Sequence, residues 1–404
     1  MGNCHTGNAH GICCKTSVKI QEEAPCSKLL KTWQKVPCAG TITGGRSGHG
    51  MVVYQSKVYL FGGCGGESVE ERSCLSDFLV FDFSTQSWSA VQTRGEPPHA
   101  RASFGMSRGP DPGTLIVAGG TGQDMDTFSD IYEYNISSST WRLLIKGEKA
   151  NFCKYYGQSI CEYKGNLFFF GGSRGRTYSN VLYRYDCAQE EGAAVPTTGK
   201  APCPRYKQQM MVVKDSLLVI GGGNYRPPTH QIDVHELDLL TLNWSQWKTS
   251  GNVPQGRVAH TCTYDENTHQ IYLWGGFNVV LHRLNDFHVL DIATRKWSTI
   301  ISLDNQSPRP RAFHCSCLHD GSFYIFGGAD GDFRHSDVWR FRTNVTPPSL
   351  MSICAGTVAK SQSPKTAADE TISQSLPHEV LDGIKQMVCG AERFVPIKHQ
   401  APVA

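Results

Sequence analysis

The sequence predicts an all-β protein, a six-bladed β-propeller that occupies most of the 404 residues. Three observations support this prediction. An apolar run ending in Gly-Gly recurs six times, other residues keep the same phase, and a lone tryptophan near the start supplies a strand that the last unit lacks. Hydrophobic residues form 39% and charged residues 19% of the chain, a composition typical of a folded protein and not of a disordered one.

The Gly-Gly repeat sets the number of units. Successive first glycines are 57, 52, 50, 54 and 52 residues apart. They are Gly62, Gly119, Gly171, Gly221, Gly275 and Gly327. A period of about 50 residues with several short apolar runs indicates one four-stranded blade per unit, with strands A to D. We expect Gly-Gly to adopt positive φ values and to let neighbouring blades approach closely.

Residues elsewhere in each unit keep this phase. A basic residue opens each unit: Arg46, Arg101, Lys154, Arg205, Arg257 and Arg311. An acid or amide precedes strand C: Asp77, Asp130, Asn180, Asp233, Asp286 and Asp337. In four units a tryptophan follows, and we expect it to pack strand D against the next blade. The third unit has the residues CAQEEGAAV in that place and no tryptophan.

The two ends of the repeat predict how the ring closes. The sixth unit stops after SDVWRF and has no tryptophan strand, whereas Trp33 lies 13 residues before Arg46. In the other units that contain the tryptophan, it precedes the next basic residue by 13 or 14 residues. Residues near 29–37 should therefore form strand D of the last blade, which leaves no open edge in the ring.

The same reasoning divides the chain into four parts. Residues 1–27 are a flexible leader, 28–343 are the propeller and 344–375 are a polar linker. Residues 376–404 form a tail with a short amphipathic helix, because apolar residues from Leu376 to Val388 recur at helical spacing. That helix either packs on the propeller or docks on a partner.

The phased units resemble the kelch-repeat propeller family, in the subgroup with Arg-x-x-His at strand A. Arg46, Arg257 and Arg311 each carry this pattern, with His49, His260 and His314 three residues later. The blades look most similar to those of the leucine-zipper-like transcriptional regulator, whose propeller recruits substrates to a ubiquitin ligase. The resemblance implies a protein-binding scaffold or adaptor, and a ubiquitin-ligase substrate receptor is one form of it. Since one fold serves many roles, the particular function stays open.

The leader carries a lipidation pattern. Met1-Gly2-Asn3-Cys4-His5-Thr6 fits N-myristoylation at Gly2, and Cys4 is well placed for a second acyl chain. One myristate alone binds membranes only marginally. The leader contains no apolar stretch of signal-peptide length, so we expect a cytoplasmic protein that is held peripherally on a membrane. In that compartment we expect the 16 cysteines to be in the thiol form. The alternatives are an unmodified leader or a soft-metal site formed by its cysteines and histidines.

No catalytic motif emerges from the sequence. It contains no P-loop, no G-x-S-x-G elbow and no H-E-x-x-H zinc motif. The net charge of +3 gives no reason to expect nucleic acid. We therefore predict no catalytic residues, metal, cofactor or small-molecule substrate. The alternative is a metal-dependent propeller enzyme similar to galactose oxidase or to the plant specifier proteins.

The predicted binding surface lies on the face shared by the D–A and B–C loops. Its candidate residues are Arg174, Arg176 and Tyr178 in blade 3, Asn224, Tyr225 and Arg226 in blade 4, Phe277 and Asn278 in blade 5, and Tyr155 and Tyr206 at the start of the innermost strands. Arginine and tyrosine often dominate binding energy, and arginine binds carboxylates bidentately. We predict that this basic, aromatic patch binds an acidic peptide segment of a protein partner. The alternative is solvated loop charge.

Arg46, Arg257 and Arg311 reach the same face, since strand A is innermost in a propeller. Two interpretations apply to them. They contact the partner, or they make structural hydrogen bonds to loop carbonyls in every blade.

Overall fold

The computed structural model describes residues 32–40, 44–66, 73–302 and 306–343, and these form six antiparallel blades. The predicted all-β, six-bladed propeller is confirmed. Strands A to D are Gly50–Tyr54, Lys57–Gly65, Ser73–Asp82 and Ser87–Ala90 in blade 1; Gly105–Arg108, Thr114–Ala118, Asp130–Asn135 and Thr140–Lys146 in blade 2; and Ser159–Tyr163, Asn166–Phe170, Leu182–Asp186 and Glu191–Ala194 in blade 3.

In the second half of the ring, strands A to D are Gln209–Val213, Ser216–Ile220, Val234–Asp238 and Asn243–Gln246 in blade 4; Thr261–Asp265, Gln270–Trp274, Phe287–Asp291 and Lys296–Ile300 in blade 5; and Cys315–His319, Ser322–Phe326, Val338–Arg342 and Trp33–Lys35 in blade 6. Three short strands pair in parallel with strand D of blades 1, 4 and 5: Ala39–Gly40, Thr198–Gly199 and Ser250–Gly251. Strands A of neighbouring blades contact each other around the central channel.

The ring closes as predicted from the spacing of Trp33. Trp33–Lys35 pairs antiparallel with Val338–Arg342, and Trp33 lies opposite Phe341. The Trp33 ring is buried, 5.2 Å from the ring of Phe341 and 5.4 Å from that of Phe287 in blade 5. The segment before blade 1 thus completes blade 6, so the first and last blades are joined without an exposed edge.

The tryptophans pack against the preceding blade, and the expectation that they contact the next blade was wrong. Trp141 of blade 2 lies 5.6 Å from Phe61 of blade 1, and Trp244 of blade 4 lies 5.3 Å from Phe170 of blade 3. Directly opposite residues in a ladder project from the same side of the sheet. Trp141 therefore shares a face with Tyr134, its partner in strand C, and that face is directed at blade 1.

Blade 3 fills the tryptophan position in another way. Gly192 lies opposite Tyr185, the register at which the other five blades have tryptophan. The buried Phe152 comes from a 3₁₀ segment, Gly147–Cys153, before strand A. Its ring lies 5.3 Å from that of Phe169 and covers Gly192 so closely that a Cβ there would be 2.0 Å from a ring carbon.

Six backbone hydrogen bonds form a closed ring at the top of the channel. One residue per blade contributes, and we call these six the collar: Gly48, Ser103, Gly157, Lys207, Ala259 and Phe313. Each N–H donates to the carbonyl of the collar residue in the preceding blade, over 2.6–3.1 Å, and Gly48 donates to Phe313. All six residues have φ between 52° and 65°, in the left-handed region.

The predicted leader, linker and tail, residues 1–27, 344–375 and 376–404, lie outside the described residues, as do Gly2 and Cys4. Within the part of the chain that is described, no helix is long and apolar enough to cross a membrane.

Candidate functional site

Five blades contain the same buried ion pair. The arginine that opens the blade donates through both Nη atoms to the two carboxylate oxygens of an aspartate, over 2.5–3.2 Å. This aspartate lies within strand C in blade 1 and just before or at the start of strand C in the other four blades. The pairs are Arg46–Asp77, Arg101–Asp130, Arg205–Asp233, Arg257–Asp286 and Arg311–Asp337. Each arginine also donates to the carbonyl of the first glycine of its Gly-Gly.

These contacts give Arg46, Arg257 and Arg311 a structural position. Their guanidinium groups are buried and tie the D–A segment to the base of the B–C loop. Burial alone would raise the pKa of Asp286, but hydrogen bonds from Arg257 and His288 outweigh it and lower that pKa well below 3.8. Because donors and acceptors satisfy each other inside the blade, we draw the candidate binding surface from other residues.

In blade 3 the opening residue is Tyr155 and not Lys154, so the predicted phase was wrong by one residue. The carbonyl of Tyr155 accepts a hydrogen bond from Gly120 at 2.9 Å, just as the carbonyl of Arg101 accepts one from Gly63. Lys154 is exposed. No arginine stands at this position, and the amide of Asn180 donates to the carbonyl of Pro202.

Three histidines line the channel below the collar. His49, His260 and His314 are buried, and each ring edge lies against the first glycine of the preceding blade, with Cε1 within 2.7–3.0 Å of where a Cβ would stand. Burial lowers the pKa of His49 and His260 to about 3, so both are neutral at physiological pH. Gln208 takes the same position in blade 4 and donates to the carbonyl of Phe170.

Two cations lie over a pair of phenylalanine rings at the channel mouth. The rings of Phe277 and Phe313 are 5.9 Å apart. The guanidinium carbon of Arg283 lies 5.0 Å from the centre of Phe277, and Nζ of Lys207 lies 5.5 Å from the centre of Phe313. Lys207 also lines the central cavity of about 230 Å³. Such cation–π contacts stabilise a cation but leave its outer side available to an anion.

Neither cation forms an ion pair with a carboxylate among the described residues. Arg283 is half-buried, donates through Nη1 to the carbonyl of Leu281 at 3.2 Å and has no hydrogen-bond partner at Nε. Burial lowers the pKa of Arg283, and burial lowers the pKa of Lys207 to about 8. We refer to Arg283, Lys207, Phe277 and Phe313 as the mouth cluster.

The structure brings part of the predicted patch next to this cluster. The Tyr206 ring is buried and lies 5.5 Å from Tyr178 and 5.9 Å from Tyr156. Tyr206 belongs to the same apolar cluster as Phe277. Burial, together with the neighbouring Tyr178, Tyr156 and Tyr225, raises the pKa of Tyr206, so its hydroxyl stays protonated.

The other predicted residues lie on the loops around this cluster. Arg174 is exposed, stacks 4.1 Å from the ring of Tyr155 and donates to the carbonyls of Lys154 and Asn151. Arg176, Asn224, Tyr225 and Arg226 are exposed at the tips of the B–C loops of blades 3 and 4. Asn278 is buried. Its amide oxygen accepts hydrogen bonds from the N–H groups of Val280 and His282, and these bonds shape the blade 5 loop.

Exposed apolar side chains concentrate on the same face. Of the eight large hydrophobic residues that are exposed among the described residues, six lie in B–C loops. These six are Met125, Val181, Tyr225, Val279, Val280 and Phe333. Apolar side chains around a partly buried cationic centre are typical of surfaces that bind proteins.

Sequence reasoning missed Arg283 and Lys207. Lys207 had a detectable signal, because it stands two residues after Arg205, where the corresponding residues of blades 1, 2, 3 and 5 are Gly, Ser, Gly and Ala. Arg283 had no detectable signal in the sequence, because its environment is created by the fold of the blade 5 loop. Within the described residues, no group of three or more His, Cys, Asp or Glu side chains could hold a metal ion.

The fold and these repeated contacts define a β-propeller whose blades share a Gly-Gly hairpin and, in five cases, a buried Arg–Asp pair. The profile of the KLHDC2/KLHL20/DRC7 Kelch-repeats domain matches residues 64–263 and 213–368, which is more than half of the chain. The chain therefore belongs to this kelch-repeat family, whose propellers generally bind proteins.

Individual relatives agree with this assignment. Kelch domain-containing protein 10 of Xenopus tropicalis is 28% identical over 348 residues, which cover 81% of this chain and 80% of the relative. Kelch domain-containing protein 1 of Mus musculus is 32% identical over 239 residues, covering 52% and 58%. Host cell factor 1 of Rattus norvegicus is 27% identical over 369 residues, covering 80% of this chain but 18% of that protein. None of these names is that of an enzyme.

Proposed function

We propose that this chain is a non-enzymatic scaffold or adaptor that binds an acidic segment of a protein partner over blades 3 to 5. The mouth cluster is the observation that supports this proposal. Arg283 and Lys207 are partly removed from water but have no carboxylate partner among the described residues, unlike the five arginines that open blades. A desolvated cation without a counter-ion is costly, and a partner's carboxylate would remove that cost.

The surroundings of the cluster fit a peptide. Tyr178 offers partly exposed aromatic surface beside the two cations, supported from below by the buried rings of Tyr206 and Phe277. Tyr225 and Val280 add exposed apolar surface at the loop tips. Arginine and tyrosine in a partly desolvated site are the residue types on which binding energy usually depends. Arg176 and Arg226, exposed on the neighbouring loops, would attract further acidic residues and increase the association rate.

A peptide-display selection tests the proposal without knowledge of the partner. The purified protein is used to select from a random peptide library, and the wild type should enrich peptides with Asp or Glu. The double variant Arg283→Gln/Lys207→Gln should lose that enrichment. Arg142→Gln is the matched control, because Arg142 is exposed on strand D of blade 2, away from the channel. Selection without acidic enrichment, or equal enrichment by the double variant, would contradict the proposal.

Two finer roles belong to the same proposal. As a substrate receptor of a ubiquitin ligase, the chain would copurify from cells with ligase subunits, and loss of the mouth cluster would release the substrate while keeping the ligase.

As a membrane-tethered adaptor, the chain would carry acyl chains on Gly2 and Cys4. The Gly2→Ala variant should then move from the membrane to the soluble fraction. A variant that stays on membranes would remove the basis for the tether.

The metal-dependent propeller enzyme remains the alternative function. Copper or iron analysis of the purified full chain separates it from the scaffold, since a stoichiometric metal would favour the enzyme.

A further inference from the structure

Blade 1 has a longer hairpin between strands B and C than the other blades. Its strand B spans Lys57–Gly65, whereas strand B of every other blade ends before Gly-Gly. The extension places Cys64 directly opposite Cys74 in the antiparallel ladder. Among the ten cysteines that the structure describes, no other two face each other in this way.

The backbone hydrogen bonds show that Cys64 and Cys74 form a non-hydrogen-bonded pair. The N–H of Cys64 donates to Ser47 at 2.8 Å, and its carbonyl accepts from the N–H of Ser47 at 3.0 Å. The N–H of Cys74 donates to Oε1 of Gln123 at 2.8 Å. In such pairs the Cα atoms are about 4.5 Å apart, within the range of about 4.4–6.8 Å that a disulfide needs. The backbone therefore already has the spacing of a cross-strand disulfide.

The two thiols are also accessible. Both side chains are partly exposed, with the Cys64 sulfur 3.8 Å from Nη2 of Arg334 and the Cys74 sulfur 3.8 Å from the carbonyl of Thr121. Since directly opposite residues project from the same side of a sheet, rotation about χ1 of each cysteine would bring the sulfurs together. The thiolate is the form of a cysteine that attacks a disulfide.

Cysteines elsewhere in the propeller provide a contrast. Burial raises the pKa of Cys153 and of Cys315 to about 12, which keeps both as inert thiols. Neither has a cysteine opposite it in a ladder. Directly opposed cysteines are therefore confined, within the described residues, to the blade 1 hairpin.

We propose that Cys64 and Cys74 are a redox-sensitive dithiol that closes reversibly to a disulfide. With glutathione disulfide as oxidant, the Cys64 thiolate attacks one glutathione sulfur and releases the first glutathione thiolate. The Cys74 thiolate then attacks the Cys64 sulfur of the mixed disulfide and releases the second. The protein loses two electrons, glutathione disulfide gains them, and the two cysteine protons end on the two glutathione thiolates. This site lies outside the patch of blades 3 to 5 and does not depend on the proposed partner.

Trypsin separates the two cysteines, which makes the disulfide directly measurable. Cleavage after Lys57, Arg72 and Arg94 leaves Cys64 in residues 58–72 and Cys74 in residues 73–94, one cysteine in each peptide. The full chain is equilibrated in glutathione buffers of rising oxidised fraction, unreacted thiols are alkylated, and the digest is analysed without reduction by mass spectrometry. We expect a linked pair of these peptides that disappears on treatment with dithiothreitol.

Variants make the assignment specific. Cys64→Ser should abolish the link and leave Cys74 as a single mixed disulfide, whereas Cys203→Ser, at an exposed cysteine outside the hairpin, should leave the link unchanged. Circular dichroism checks that each variant is folded. The proposal is overturned if the wild type yields only separate glutathionylated peptides, or if the link forms only in urea.

Discussion

The ring of Phe152 occupies the space above Gly192 that a tryptophan side chain fills in the other five blades. Phe152 reaches this space from the 3₁₀ segment before strand A, whereas each tryptophan belongs to strand D of its own blade. Phe152 contacts Tyr185 and Phe169 of blade 3 and belongs to a cluster with Ile116 of blade 2. One interface between blades is thus sealed by a different part of the chain.

Because Phe152 occupies the space that a tryptophan fills in the other blades, we predict that mutations of Phe152 and Gly192 have coupled effects on stability. Phe152→Ala should lower the free energy of unfolding by about 3–5 kcal/mol, because it leaves a cavity between blades 2 and 3. Gly192→Trp should also destabilise, since the new side chain would collide with Phe152. The double variant should be more stable than the sum of the two effects implies. Urea unfolding of the four proteins measures the coupling, and simple additivity would contradict the shared space.

The Arg101–Asp130 pair predicts a large penalty for removing one partner. Arg101 is fully buried, and its two Nη atoms donate to the two carboxylate oxygens of Asp130 at 2.6 and 3.0 Å. Arg101→Leu should cost about 3–5 kcal/mol, because Asp130 would keep a buried charge without a partner. Arg101→Leu/Asp130→Leu should recover part of that loss. As a control, Arg142→Ala breaks an exposed pair and should cost less than about 1 kcal/mol. Chemical denaturation distinguishes these cases.

The channel histidines predict that stability falls in mild acid. Burial lowers the pKa of His49 and His260 from 6.5 to about 3 in the folded protein. Between these values the unfolded chain binds protons that the folded chain does not, so the free energy of unfolding decreases as the pH falls from 6.5 toward 3. His260→Gln, which copies Gln208 of blade 4, should show a shallower decrease. Equal slopes for the wild type and the variant between pH 6.5 and 4.5 would count against this explanation.

Ring closure through Trp33 predicts that blade 6 depends on a side chain more than 300 residues away from its partner strand. Trp33→Ala should cost about 3–5 kcal/mol and expose the edge of Val338–Arg342, which promotes self-association. Trp33→Phe should retain more of the stability because it keeps the contact with Phe341. Unfolding curves and light scattering measure the two effects. A Trp33→Ala protein as stable as the wild type would show that the strand contributes little.

The parts of the fold that repeat could be predicted from the sequence. Six Gly-Gly signals fixed the number of blades, and the 13-residue spacing placed Trp33 in blade 6, because each blade must satisfy the same backbone constraints. The second glycine of each pair indeed has a positive φ and donates to the next blade, as Gly63 does to Arg101. Because the same residues recur in every unit, contacts of this kind can be recognised from a single sequence.

The parts that do not repeat could not be predicted in this way. Lys154 matched the basic residues of the other units by type, but hydrogen bonding places Tyr155 at their position. Arg283 and Lys207 acquire their environment only when loops of different blades meet at the channel mouth. Nothing in the local sequence around Arg283 specifies that its Nε will lack a partner. The positions of the surface residues Arg176 and Arg226 match the prediction of exposed loops, while their contact with a partner stays a prediction.

The collar has a consequence for how this fold can diversify. Its six hydrogen bonds are all made by backbone groups, and residues as different as Gly48, Lys207 and Phe313 hold the same left-handed conformation within it. Side-chain identity at these positions is therefore decoupled from the closure of the ring. Substitution of the collar residues would change the chemistry of the channel lining, from small to cationic to aromatic side chains. The closed ring of backbone hydrogen bonds that supports this lining would stay the same.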